Sequence, residues 1–211
     1  LLLKTNPIQG HSWLDCVDLR GKECKGFVRG YVGHIDDPMT YRIELRNNEQ
    51  AVCHPNTQTS PDSYSNQYPR SKAMPGQKLI FSYLENGHVT KDRLPPNGKP
   101  NPKTYTIHWS GKPFTGNTND DSQIKIRGEL NSGNQLGDEH NFDDGQCAED
   151  NTMGREGPKP CLGELIVPPN TAPGVYQFIW WWKFDKDPKA GGEEYTSCFD
   201  VEVMSSFKYN V

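Results

Sequence analysis

The stretch from Gly174 to Phe184, Gly-Val-Tyr-Gln-Phe-Ile-Trp-Trp-Trp-Lys-Phe, constrains the fold more than any other. Read at period two, it puts Tyr176, Phe178, Trp180, Trp182 and Phe184 on one face of a strand. Five aromatic rings in a row need a second layer to bury them. Only 33 % of the 211 residues are hydrophobic, so these rings must supply much of any core. Shorter strands are expected at 41–45, 78–83 after the Pro75-Gly76 turn, 105–109, 123–130, 163–167 and 195–203. With 20 glycines and 17 prolines between them, and no sustained i, i+3, i+4, i+7 apolar pattern, helices are disfavoured. The reading is a single all-β domain, an antiparallel β-sandwich with long irregular loops at 46–75 and 131–161.

Six cysteines occur, none in a Cys-x-x-Cys pair, which disfavours a zinc cage. An even set of spread cysteines reads as three disulfides made in an oxidising compartment. Proximity pairs Cys16 with Cys24 and Cys147 with Cys161, and elimination leaves Cys53 with Cys198; this is one of 15 connectivities for six cysteines. The net charge of −4 has no basic stripe, and no apolar run reaches membrane-spanning length. The chain is therefore expected to be secreted and extracellular, monomeric, and without nucleic-acid or membrane partners.

Residues 1–10 read as a signal-peptide remnant or N-terminal extension, and 11–211 as the domain proper. Leu1–Leu3 resemble the tail of an apolar leader, and Gly10 is a small residue acceptable at a cleavage point. The next residue is a histidine, in "GHSW". Of six histidines, His88 also stands out, directly after a glycine in "NGHV" at the end of an apolar strand. His34 and His140 lie in polar loops, His54 sits beside a cysteine and His108 lies in a strand; these read as structural or solvated. In "EEYTSC", Glu193 lies two residues before Tyr195, so both point to one side of an extended chain.

This ordered set resembles the lytic polysaccharide monooxygenases. The resemblance spans most of residues 11–203 by order and spacing of motifs, and "HSWLDC" with "CKGFVRGY" is most similar to the oomycete branch that cleaves pectic homogalacturonan. It implies an immunoglobulin- or fibronectin III-like sandwich holding one copper ion in a histidine brace. His11 would ligate through its ring and its α-amine, His88 through its ring, and Tyr195 would be axial, with Glu193 placing oxygen species and moving protons. The implied activity is oxidative cleavage of a plant cell-wall polysaccharide, pectic homogalacturonan ahead of cellulose, xylan or chitin, using an external reductant with O2 or H2O2. His11 is not residue 1, so the brace depends on a cut before it; uncut, an amide replaces the amine.

Trp180 and Trp182 read as core, Trp181 as packing on a loop or sheet edge. Trp13 is a candidate for shaping the copper surface. Lys91, Arg93, Lys99 and Lys103 form a basic run after His88. It reads as a solvated loop or, more sharply, as a contact for an anionic polysaccharide, with Lys91 and Arg93 the named candidates. Two other readings stand beside the enzyme. One is a copper-binding relative without oxidative activity; the other is a metal-free polysaccharide-binding sandwich.

Overall fold

A computed structural model describes residues 11–44, 47–92, 101–116, 121–184 and 193–205. The strands, in chain order, are β1 (Leu14–Cys16), β2 (Leu19–Arg20), β3 (Glu23–Cys24), β4 (Arg42–Ile43), β5 (Ser71–Ala73), β6 (Lys78–Tyr83), β7 (Thr104–Trp109), β8 (Gln135–Asn141), β9 (Cys161–Ile166), β10 (Gly174–Phe184) and β11 (Glu193–Val203). A single helical turn, α1 (Asp36–Met39), precedes β4. Two sheets form an immunoglobulin-like sandwich. The smaller has the order β1-β6-β9 and the larger β4-β11-β10-β7-β8, while β2 and β3 make a hairpin. All pairings are antiparallel except β5, which runs parallel to β11 at Val201–Val203.

The aromatic strand β10 is the spine of the larger sheet. It pairs over its whole length with β11, from Gly174↔Val203 to Phe184↔Glu193, and on its other side with β7. Its inward rings pack as their alternation requires: Trp180 lies 5.5 Å from Tyr83 of the facing sheet, and Trp180 and Trp182 are fully buried. The opposite face is also covered. Ile179 and Trp181 join Ile43, Val52, Ile124, Leu130 and the Cys53–Cys198 disulfide in a second apolar cluster beneath the loops. All three expected disulfides form, Cys16–Cys24, Cys53–Cys198 and Cys147–Cys161.

Two expectations are corrected. The alternating run 123–130 is not a strand: Ile126 makes one isolated bridge to Ala51, and Arg127–Glu129 form a 3-10 turn. The reason is side-chain competition for its backbone. Ile124 N donates to Gln177 Oε1, and Lys125 N to Glu129 Oε2, at 2.7 and 2.5 Å. Conversely, the polar region 131–161 contains β8, whose seven residues are half-exposed or exposed on the sheet edge. An edge strand with no core face carries no alternating signal. Among the described residues of 41–45, Arg42–Ile43 pair with β11. No helix among the described residues is long and apolar enough to cross a membrane.

Candidate metal centre

His11 enters the fold alongside the end of β6. Leu14 pairs with Tyr83, Ser12 Oγ donates to Leu84 O at 2.8 Å, and Asn86 Nδ2 donates to His11 O at 2.5 Å. This ladder sets His11 beside the 84–92 loop that carries His88. Tyr195 comes from the start of β11, and its ring centroid is 6.1 Å from that of His11. Behind them stands Trp182, paired with Tyr195 in the β10–β11 register. Its ring stacks on Tyr195 at 5.2 Å and meets His88 edge-on at 4.9 Å. The structure therefore places two of the four residues expected at the centre, Tyr195 and His88, against one buried indole, with His11 beside Tyr195. The fourth, Glu193, accepts a hydrogen bond of 2.5 Å from Tyr195 Oη, as their shared side of the strand requires. Arg42 stands 3.5 Å from Glu193. Burial first, then Glu193, holds the Tyr195 phenol well above the usual tyrosine range, so it stays protonated.

His88 is enclosed in the core. Its side chain is 1 % exposed and is walled by Phe184, Trp182 and Phe142. Nδ1 lies 2.7 Å from Asp92 Oδ2. A carboxylate only accepts, so Nδ1 donates to it. Nε2 is buried and has no hydrogen-bond partner among the described residues. Leaving a buried polar atom unpaired costs about 1–3 kcal/mol, so such atoms call for a missing partner. A metal ion is one, and a carboxylate on the other ring nitrogen is the usual support of a metal-bound imidazole.

Three features of the centre were not anticipated. Asp36, the first residue of α1, holds His11: its Oδ1 and Oδ2 lie 2.8 and 2.9 Å from His11 Nδ1. Burial raises the Asp36 carboxyl, but hydrogen bonds from Thr40 and His11 outweigh it and hold the group below the usual carboxylate range. His34 shares an open pocket with His11, Trp13, Asp36 and Asn86. Its ring lies 4.8 Å from Trp13, and its Nδ1 lies 2.8 Å from Asp15, which also accepts from Trp13 Nε1 and Tyr31 Oη at 3.1 and 3.2 Å. Trp13 itself is only 3 % exposed. It lines the pocket from below and supports His34 rather than offering a free stacking face.

Of the basic run, Lys91 is ion-paired. Lys91 Nζ lies 2.5 Å from Glu149 and 3.4 Å from Asp150. Arg93 and Lys99 lie outside the described residues.

A sequence profile of a family described as a domain of unknown function, DUF7492, matches residues 8–211. No curated protein matches the chain in sequence. Among solved structures it is similar to a copper complex of the cellulose-active monooxygenase CelS2, with 15 % identity over 67 % of this chain and a TM-score of 0.39. The chain spans 57 % of the length of that protein. It is also similar to a chitin-binding domain from Burkholderia pseudomallei, with 10 % identity, a TM-score of 0.46, and 92 % and 99 % of the two chains covered. The extended catalytic domain of H. jecorina LPMO9A gives 12 % identity and a TM-score of 0.42, covering 93 % of this chain and 75 % of that one.

Proposed function

The chain belongs to the DUF7492 family, and from that premise we propose that it is a secreted copper-dependent oxidoreductase that cleaves polysaccharide. The observation that carries this reading is the buried, unpartnered Nε2 of His88, its ring locked by Asp92, in a loop hydrogen-bonded to His11. Imidazole nitrogens suit copper in both oxidation states, and the donor set here is nitrogen-rich and closed by a protonated phenol. His11 and His88 would hold the ion, with Tyr195 beside it. A cut between Gly10 and His11 would free the α-amine as a third nitrogen. Bound there, copper would supply the one-electron chemistry with O2 or H2O2 that a side-chain set lacks.

The chain's own residues do the rest. Glu193, hydrogen-bonded to Tyr195, offers a carboxylate that can take up and release a proton beside the ion. Arg42 stands 3.5 Å from it as a cationic neighbour. Trp182 fixes Tyr195 and His88 from behind and excludes water. The open pocket of about 270 Å³ at His11 leaves room for a glycan strand to approach. Pectic homogalacturonan, cellulose, xylan and chitin are the substrate classes to compare.

The test is a copper titration of protein that begins at His11, followed by product analysis on those four polymers with ascorbate and peroxide. One tightly bound copper and oxidised oligosaccharides on one polymer are expected. Absence of stoichiometric copper would overturn the reading; polymer binding without copper would make the chain a binding module. One bound copper without oxidised products would make it a non-catalytic copper protein.

A further inference from the structure

The larger and the smaller sheet each end in a strand with one free edge, and these edges face each other across a groove. Among the described residues β8 pairs only with β7, and β9 only with β6. Between them lie two adjoining hollows of about 440 and 450 Å³ that share His140 and Glu164. We propose that this groove docks an extended basic polypeptide strand, which adds to the free edge of β9.

The ladder fixes which backbone groups are free. Val167 N donates to Gln77 O, just before β6, at 3.0 Å. Leu162 N turns the other way, to Asp144 Oδ2 at 2.9 Å. Antiparallel alternation therefore sends the N–H and C=O of Glu164 and Ile166 to the open edge, where the described residues offer them no partner. An added strand would bond them, as in other cases of strand addition to a sheet edge. Asp144 closes this edge at one end, and Pro168-Pro169, which lack N–H donors, close it at the other. The site is thus one short segment. Leu162, Glu164 and Ile166 share a face of β9, with Leu162 41 % and Ile166 55 % exposed. Ile107, Leu136 and Leu165 give the groove an apolar floor.

Charge selects the occupant. Asp138, Glu164, Asp143 and Asp144 line the groove, and among the described residues no lysine or arginine does. Arg155 neutralises Asp143 at 2.7 Å, and Asp144 caps backbone amides. Lys78 reaches Glu164 at 3.0 Å, an exposed pair worth little to either partner. Asp138 has no ion-pair partner among the described residues. Directly opposite side chains on paired strands interact: unlike charges stabilise and like charges destabilise. A strand reading apolar-x-basic-x-apolar therefore matches Leu162, Glu164 and Ile166. A second copy of β9 does not. Pairing it with itself about Glu164 sets Leu162 against Ile166 but Glu164 against Glu164, so this edge is guarded against its own kind.

The probes are two end-blocked peptides, Thr-Val-Thr-Lys-Thr-Val-Thr and the same sequence with Glu replacing Lys. Each is titrated into the full chain at low salt, with affinity read by calorimetry and amide shifts and exchange read by nuclear magnetic resonance. The Lys peptide is expected to bind about threefold to thirtyfold more tightly than the Glu peptide. It should shift the amides of Glu164 and Ile166, slow their exchange, and weaken as salt is added. Glu164→Lys, an exposed change, should reverse the order of the two peptides. No binding, equal affinity for both peptides, or shifts confined to another surface would overturn the proposal. So would shifts at these amides with cellohexaose and with neither peptide, which would make the groove a glycan site. Protection of these amides that grows with protein concentration alone would make the edge a self-association surface and also overturn it.

Discussion

Trp182→Phe tests whether one buried indole supports both halves of the candidate centre. Trp182 Nε1 donates to Pro102 O at 2.7 Å, and its ring stacks on Phe142 at 4.3 Å and on Tyr195 at 5.2 Å while bordering His88 at 4.9 Å. Phenylalanine keeps an aromatic face but cannot donate. Leaving a buried carbonyl unpaired costs about 1–3 kcal/mol. The missing part of the ring opens a void of roughly 40 Å³, worth about 1 kcal/mol at ~24 cal/mol per Å³. The expected loss is therefore about 2–4 kcal/mol, or roughly 4–16 °C in Tm for a domain of this size. Scanning calorimetry of the metal-free protein gives the stability, and copper competition gives the second readout. Affinity should fall together with stability, because the same ring backs Tyr195 and His88. A variant with parental Tm would refute the packing argument. One with lowered Tm but parental copper affinity would show that Trp182 supports the core and not the centre.

Two further outcomes follow from the frame. Replacing Cys53 and Cys198 together by serine should cost about 2–5 kcal/mol in urea unfolding, since that bridge joins residues 145 apart; the same change at Cys16 and Cys24, 8 apart, should cost clearly less. Equal losses would show that loop closure is not what these bridges contribute. His108 is held below the usual imidazole range, by burial first, with Lys183 adding to it against the hydrogen bond to Asn134. Below about pH 6.5 the unfolded chain then binds a proton that the folded chain resists, so this contribution is complete above that pH and is lost on acidification. The urea midpoint should drop between pH 7 and pH 5, and His108→Gln should flatten the drop. An unchanged slope in that variant would sink the assignment.

The fold was legible where a strand had two unlike faces or two apolar ones. β10 and β11 carry that pattern, and the disulfides followed from position. The failures lie at edges. β8 has no buried face to mark it, while 123–130 alternates yet gives its backbone donors to Gln177 and Glu129. Alternation reports which side chains are buried, not whether a neighbouring strand is there to pair.

The centre divides along the same physical line. His11, His88, Glu193 and Tyr195 were expected at the centre because each sits in a short local motif. Asp92 was within reach of the same logic, four residues beyond His88 and bonded to it. Asp36 and His34 were not: they lie 25 and 23 residues from His11 in a polar loop, and only the packing of α1 and of Trp13 brings them to the pocket. Every histidine at this end of the sandwich, His11, His34 and His88, has its Nδ1 on an aspartate. Three imidazoles oriented by carboxylates at one end of the fold are more than surface solvation requires. Each partner fixes a ring plane and a tautomer, which is useful where a lone pair must point at a ligand and costly in side-chain freedom where it need not. For His88, Nδ1 is held by Asp92 while Nε2 is buried without a hydrogen-bond partner among the described residues.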